Sequence, residues 1–295
     1  MKFTYPSTIP LSTAGIRHGL LILLLLIVTG CSLEGTVPAG TEPRGETIDP
    51  SQTVLVIGDW GAGTTEQEAV AEAMSDVARS NDVGAIVTTG DNFYSDDAES
   101  LMEPFAWAME RNIPFVITWG NHDIDNADRI TAIDETFDDP PRWTTHRWGN
   151  ALVVVLDSTQ PHSEDQVDFL LETLAGSDLP TIVVIHHPPF SCGSHGDDRA
   201  LQEDLLSHLD DDVFLVLSGH EHNYQRFEDS GVTYVVTGGG GAALTELGSC
   251  PPGHPSLAAA ESVHHFVALE QGDGVALSVV DVDGGPIDEF EMPLR

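Results

Sequence analysis

Hydrophobic positions along the chain follow two different rhythms. Six short runs rich in Val and Ile (Val54 to Ile57, Ala85 to Thr89, Pro114 to Thr118, Leu152 to Leu156, Ile182 to Ile185 and Val213 to Leu217) are continuous rather than alternating, which predicts buried strands. After the first run, Ala69, Val70, Ala73, Met74, Val77 and Ala78 recur at i, i+3, i+4 spacing behind Thr64 and Thr65. This predicts a capped helix over 64–80 with one buried face. Similar periodicity predicts helices over Ser100 to Glu110, Ser163 to Ala175 and Arg199 to Leu209, so strands and helices alternate as in an α/β fold. In the C-terminal third, Val232 to Thr237, His264 to Glu270, Val275 to Val282 and Ile287 to Met292 read as strands joined by turns such as Gly272-Asp273-Gly274 and Asp283-Gly284-Gly285. The expected architecture is a mixed sheet closed by antiparallel strands, with two sheets packed together between helices.

The N-terminus follows neither rhythm. Leu20 to Thr29 is an almost unbroken apolar run behind Lys2 and Arg17, too short to span a bilayer. Residues 1–30 read as an export signal, and Val28-Thr29-Gly30-Cys31 resembles a bacterial lipobox that would leave Cys31 as a lipidated first residue; plain signal cleavage beside an incidental Cys is the alternative. The absence of a twin Arg points to general secretion. Residues 31–52 hold Gly, Pro, Thr and Glu with little apolar content and read as a flexible tether. A single domain is expected over 53–295. The expected location is the periplasmic or extracellular face of the cell envelope, with contact to the membrane through Cys31 only.

Charge narrows the choice of partners. The 295 residues carry 48 Asp and Glu against 11 Lys and Arg, a formal charge of −37, with no basic stripe, which argues against nucleic acid and against an anionic membrane surface. Removal of residues 1–30 would take away two positive charges and no negative one, leaving a chain without lysine. Self-repulsion of this size is relieved by salt, so either a saline habitat or drift from Lys to Arg in a GC-rich genome accounts for the composition. Phosphate chemistry on such a chain requires a metal.

The residues that follow the apolar runs carry that chemistry. Gly58-Asp59, Gly90-Asp91-Asn92-Phe93-Tyr94, Gly120-Asn121-His122-Asp123, His186-His187-Pro188 and Gly219-His220-Glu221-His222 each stand at a predicted strand end. In open α/β sheets ligands bind outside the carboxyl ends of the strands, so these side chains are expected to converge. Carboxylates, an Asn carbonyl and neutral imidazoles suit divalent or trivalent transition metals.

In order and spacing these blocks resemble the calcineurin-like metallophosphoesterases, from about residue 53 to at least 240. Within that superfamily, Gly61 two residues after Asp59 and Tyr94 three after Asp91 resemble the purple acid phosphatases of the tartrate-resistant type. The resemblance implies a four-layer αββα sandwich with two mixed sheets face to face. It implies two metals: Asp59, Asp91, Tyr94 and His222 at a site favouring Fe(III), and Asp91, Asn121, His186 and His220 at a second taking Zn(II), Fe(II) or Mn(II), with Asp91 bridging. It further implies hydrolysis of small phosphate monoesters by a metal-activated hydroxide. His122 would contact phosphate and steady or protonate the leaving oxygen, with Asp123 as its orienter, and His195 would be a second donor or phosphate contact. His187 reads as pocket lining or packing. A phosphodiesterase or nucleotide-cleaving relative, and a non-catalytic metal- or phosphate-binding lipoprotein, are the alternatives, and a monomer is expected.

Three further features are read from the residues. Cys192 and Cys250 lie in Gly/Ser/Pro-rich loops and are expected either to bridge, as in an oxidising compartment, or to remain as two surface thiols. The Gly238 to Gly241 run lacks the Lys and Ser/Thr of a phosphate loop. Asn223, Tyr224 and Arg226 either shape the pocket rim or pack in the core.

Overall fold

The computed structural model describes Gly45 and residues 47–294; the signal segment, Cys31 and the tether up to residue 44 lie outside the described residues. In chain order the strands are β1 (Thr47–Ile48), β2 (Thr53–Ile57), β3 (Val83–Thr88), β4 (Phe115–Val116), β5 (Thr144–Trp148), β6 (Ala151–Val155), β7 (Thr181–Val184), β8 (Val213–Ser218), β9 (Tyr224–Asp229), β10 (Val232–Thr237), β11 (Ser256–Glu261), β12 (His265–Gln271), β13 (Gly274–Asp281) and β14 (Pro286–Pro293). The helices are α1 (Thr65–Ser80), α2 (Ala98–Met102), α3 (Ala106–Glu110), α4 (Asn121–Ile124), α5 (Ala127–Phe137), α6 (Glu164–Ala175) and α7 (Arg199–Asp204).

The strands form two mixed sheets, one ordered β1-β5-β6-β7-β8-β10-β9-β11 and the other β14-β13-β12-β2-β3-β4. Strand pleating explains why the runs lack alternation. Val54 and Val56 of β2 face a core shared with Val153, Val155, Ile182, Val184, Leu215 and Leu217 of the opposite sheet. Leu55 and Ile57, on the other side, meet Val70 and Met74 of α1 and Phe105. The outer face of the eight-stranded sheet, through Leu152, Val154 and Val183, packs on Phe169 and Leu170 of α6 and Leu201 of α7. Both faces of each central strand are therefore covered, and the layers run helix, sheet, sheet, helix. Thr64 caps α1 by accepting from the Gln67 N–H.

Several expectations change. Ile48 is buried and β1 pairs in parallel with β5, while Gly45 donates to the Thr145 carbonyl, so the chain joins the sheet before Thr53 and the last residues assigned to the tether are structural. The helix predicted over Ser100 to Glu110 is broken into α2, a 3-10 turn Glu103–Phe105 and α3, because Pro104 lacks the N–H that a continuous helix needs. The segment Arg199 to Leu209 likewise changes to a 3-10 turn at Leu206–His208. Strands β5 and β9 carry too much polarity to stand out as apolar runs, β11 is built on Ala rather than on Val and Ile, and helix α5 has a periodic apolar face (Ile130, Ile133 and Phe137) that the sequence expectation omits. Among the described residues, no helix is long and apolar enough to cross a membrane.

Candidate metal and phosphate site

The carboxyl ends of β2, β3, β7 and β8 meet at one end of the sandwich, and the loops that follow carry the side chains singled out above. The backbone there is bent out of its ordinary range: Asp59, Asp91 and His220 have φ of 56°, 49° and 68°. Non-glycine residues hold such angles at a cost of about 1–3 kcal/mol each, which surrounding contacts must offset. Asp59 N–H donates to the Gly90 carbonyl at 3.0 Å, and His220 N–H donates to Asp59 Oδ2 at 2.9 Å. The glycine run supplies close approach rather than a phosphate cradle: a Cβ on Gly238 would stand 2.6 Å from Asp59 Oδ2.

Two groups of donor atoms result. Tyr94 Oη lies 3.3 Å from Asp59 Oδ1, 3.2 Å from Asp91 Oδ2 and 3.1 Å from His222 Nε2, and His222 Nε2 is 3.3 Å from Asp59 Oδ1. On the other side, His186 Nε2 is 3.0 Å from Asn121 Oδ1 and 3.3 Å from Asp91 Oδ1. Asp91 thus offers one oxygen to each group. His220 completes the second, its ring centroid 5.1 Å from that of His186. A cation about 2.0–2.2 Å from each donor would keep neighbouring donors about 3 Å apart, the spacing seen here. The imidazoles are also oriented for a cation: His186 Nδ1 meets the Thr89 carbonyl at 2.8 Å and His222 Nδ1 the Ala243 carbonyl at 2.7 Å, turning both Nε2 atoms toward the carboxylates. Asp59, Asp91 and His186 fall within one cluster able to hold a metal, and so do His186, His187 and His220.

Electrostatics point the same way. Burial raises the Asp59 carboxyl, against the pull of His222. At Asp91 burial is outweighed by the His186 imidazole and the His122 N–H, and the carboxyl lies below its ordinary range. Burial works against the charged form of His186, but Asp91 overrides it and lifts the ring to about 9. His220, buried and surrounded by His186, His187 and His195, drops to about 2 and is a neutral donor. Burial, with Asp59 and Asp91 facing it, raises the Tyr94 hydroxyl far above the phenol range, so only a strong cation would displace its proton. The site holds carboxylates and no Lys or Arg among its donors. Left to itself it repels phosphate.

The remaining candidates divide. The His122 ring packs 4.6 Å from that of Tyr94, the backbone N–H of His122 donates to Asp91 Oδ1 at 2.8 Å, and the side chain is 42% exposed. Asp123 does not orient it. That carboxylate is fully buried and accepts from Asn92 N–H and Phe93 N–H on Oδ1 (2.7 and 3.1 Å) and from Asn92 Nδ2 and Gly120 N–H on Oδ2 (2.8 and 2.7 Å). Burial and the neighbouring Asp91 push it up to about 7, against the Gly120 and Phe93 N–H groups. Asp123 ties the Asp91 loop to the Asn121 loop, and the carboxylate that faces His122 Nδ1 is Asp125, at 3.8 Å. His187 lines the site, with Nδ1 3.0 Å from Ser158 Oγ and its ring 4.5 Å from His220. His195 is brought 4.4 Å from His220, on a loop tied down by a disulfide between Cys192 and Cys250. Tyr224 and Arg226 pack instead of lining a rim, both bonded to Asp288 at 2.8 Å. Asn223 is buried and donates to Thr245 Oγ1. The sequence reading gave no role to Glu221, a buried carboxylate beneath His195, or to Ser158; the charged residue inside the Gly219 to His222 block was the only signal for the former.

Comparison with known proteins agrees with this geometry. The calcineurin-like phosphoesterase profile matches residues 52–224. Purple acid phosphatase 3 of Arabidopsis thaliana is 28% identical over 82% of this chain and 81% of its own length. Tartrate-resistant acid phosphatase type 5 of Rattus norvegicus is 27% identical over 94% of this chain and 97% of its own. Among solved structures, purple acid phosphatase PPD1 of yellow lupin superposes with a TM-score of 0.72 at 18% identity, covering 85% of this chain and 55% of that one, a likeness of fold.

Proposed function

Because this chain belongs to the calcineurin-like phosphoesterase family and is a hydrolase of phosphoric ester bonds, we propose that it cleaves small phosphate monoesters at a two-metal site. The observation that carries the reading is the shared carboxylate of Asp91, with Oδ2 beside Tyr94 and Oδ1 beside His186. Asp59, Asp91, Tyr94 and His222 would hold one ion; Asp91, Asn121, His186 and His220 the other. A phenolate with two carboxylates favours Fe(III) at the first position, and an Asn carbonyl with two imidazoles suits Zn(II), Fe(II) or Mn(II) at the second. Ions held by these residues would supply the positive charge that the site's own donors lack and the Lewis acidity that lowers the pKa of a bound water.

The protein's own groups do the rest. His122 stands over Tyr94 at the opening, exposed enough to meet a phosphate oxygen and to give a proton to the departing alcohol. His195, above His220, is the second group in reach of the ester. Asp123 holds together the loops that carry Asp91 and His122, and the Thr89 carbonyl fixes the His186 ring. Export, with a lipid on Cys31, is part of the proposal; a disulfide among the described residues fits an oxidising compartment.

The test is hydrolysis of p-nitrophenyl phosphate and bis-p-nitrophenyl phosphate by the purified protein in high salt with iron and zinc supplied, beside Asp91→Ala. Turnover of the monoester, lost in the variant, is expected. Preference for the diester would replace the monoesterase reading by the diesterase one, and no turnover by folded, metal-loaded protein would overturn both.

A further inference from the structure

Glu221 stands between His220 and His222 in the chain but belongs to neither donor group. Its side chain is fully buried, and polar groups close on the carboxylate from several sides. Oε1 accepts from the Ser191 hydroxyl at 3.3 Å and from the His195 and Gly196 N–H groups at 2.6 and 3.3 Å. Oε2 accepts from the Thr245 hydroxyl at 3.1 Å and lies 3.4 Å from His195 Nδ1. Loop 191–196 wraps so tightly that a Cβ on Gly193 would collide with the carboxylate. The same loop is pinned at its start by the Cys192–Cys250 disulfide, by Cys192 N–H donating to Gln225 Oε1 at 2.7 Å and by Gly248 N–H donating to the Cys192 carbonyl at 2.6 Å.

A buried carboxylate facing neutral donors and a single imidazole is a poor source of net stability. Its effect is on shape. Nδ1 is the His195 ring nitrogen that meets the carboxylate, 3.4 Å from Oε2, and the side chain is 46% exposed; a proton held on Nδ1 would leave Nε2 for a ligand. We propose that Glu221 is the positioning residue of His195: it sets both the loop and the ring tautomer so that Nε2 meets the phosphoester above His220. The catalytic consequence rests on the phosphoesterase reading, whereas the tautomer does not.

Two measurements separate them. In metal-free full-length protein with 15N-labelled histidine, the ring shifts of His195 report its tautomer. The wild type is expected to show the Nδ1–H form and Glu221→Gln to lose it; the same tautomer in both would overturn the proposal. In the metal-loaded protein, Glu221→Ala is expected to lower kcat by about 10- to 100-fold, with KM changed less and metal content unchanged. His195→Ala should cost about as much, and the double variant no more than either single one. Additive losses, or metal loss in Glu221→Ala, would overturn it. If Glu221→Ala does not fold, Glu221→Gln in the same cycle serves. A wild type inert toward every phosphoester would remove the proposed function and leave the tautomer result to decide the role of Glu221.

Discussion

At the scale of single residues, the site depends on carboxylates that differ in what they touch. Asp59 and Asp91 face the donor groups, whereas Asp123 is turned into the loops and accepts four hydrogen bonds. Asp123→Asn, which sets an amide NH2 against groups that themselves donate, is expected to destabilise the metal-free protein by about 1–3 kcal/mol and to weaken metal binding about 10- to 100-fold. Urea unfolding and metal titration check this, and a variant unchanged in both would remove the clamp role. The strand-end motifs made the donor residues legible without the structure, because each metal-site side chain sits within a few residues of an apolar run. The partner of His122 was not legible. Sequence adjacency suggested Asp123, but the turn of α4 carries that side chain inward and brings Asp125 to the ring. Glu221 escaped for a related reason, since the groups that bond to its carboxylate all lie 24 or more residues away.

Elements show where propensity ends and packing begins. Continuous Val and Ile runs mark the central strands, which are covered on both faces, but β9 and β11 lie at one side of their sheet and are read as strands only through their neighbours. The disulfide belongs to this scale, since it joins the loop after β7 to the loop before β11 across 58 residues. Loop-closure entropy predicts that reduction, or Cys250→Ser, lowers stability by about 4 kcal/mol. A chemical-unfolding midpoint that does not move on reduction would contradict this. His265 at the start of β12 gives a pH-dependent counterpart. Burial holds its ring down at about 4, despite the bond to the Val263 carbonyl, so it folds neutral. With the folded value below the unfolded one, its contribution is whole above about pH 6.5 and is lost as pH falls through about 4. That difference is on the order of 3 kcal/mol. Comparing His265→Gln with the wild type at pH 7.5 and pH 4 should show a stability gap that narrows or reverses in acid, and a gap independent of pH would refute it.

For the whole molecule, the charge of −37 sets the terms on which the sandwich is stable. Self-repulsion is screened as the Debye length shrinks from about 10 Å at 0.1 M to about 3 Å at 1 M salt, so the thermal midpoint is expected to rise by several degrees between 0.05 and 2 M NaCl. A midpoint that is flat or falls with salt would show that the acidic surface carries no such penalty. What the sequence determined alone is whatever depends on near neighbours and composition: the strand runs, the capped helix α1, the donor types at five strand ends and the acidic surface. These are local or additive properties. Only the tertiary structure decided which Asp91 oxygen faces which donor group, that the Glu221 carboxylate lies beneath His195, and that residues 47–48 join the sheet rather than the tether. Each is a choice among partners distant in the chain, made by burial and hydrogen bonding once the sheets have packed, and no local pattern encodes it.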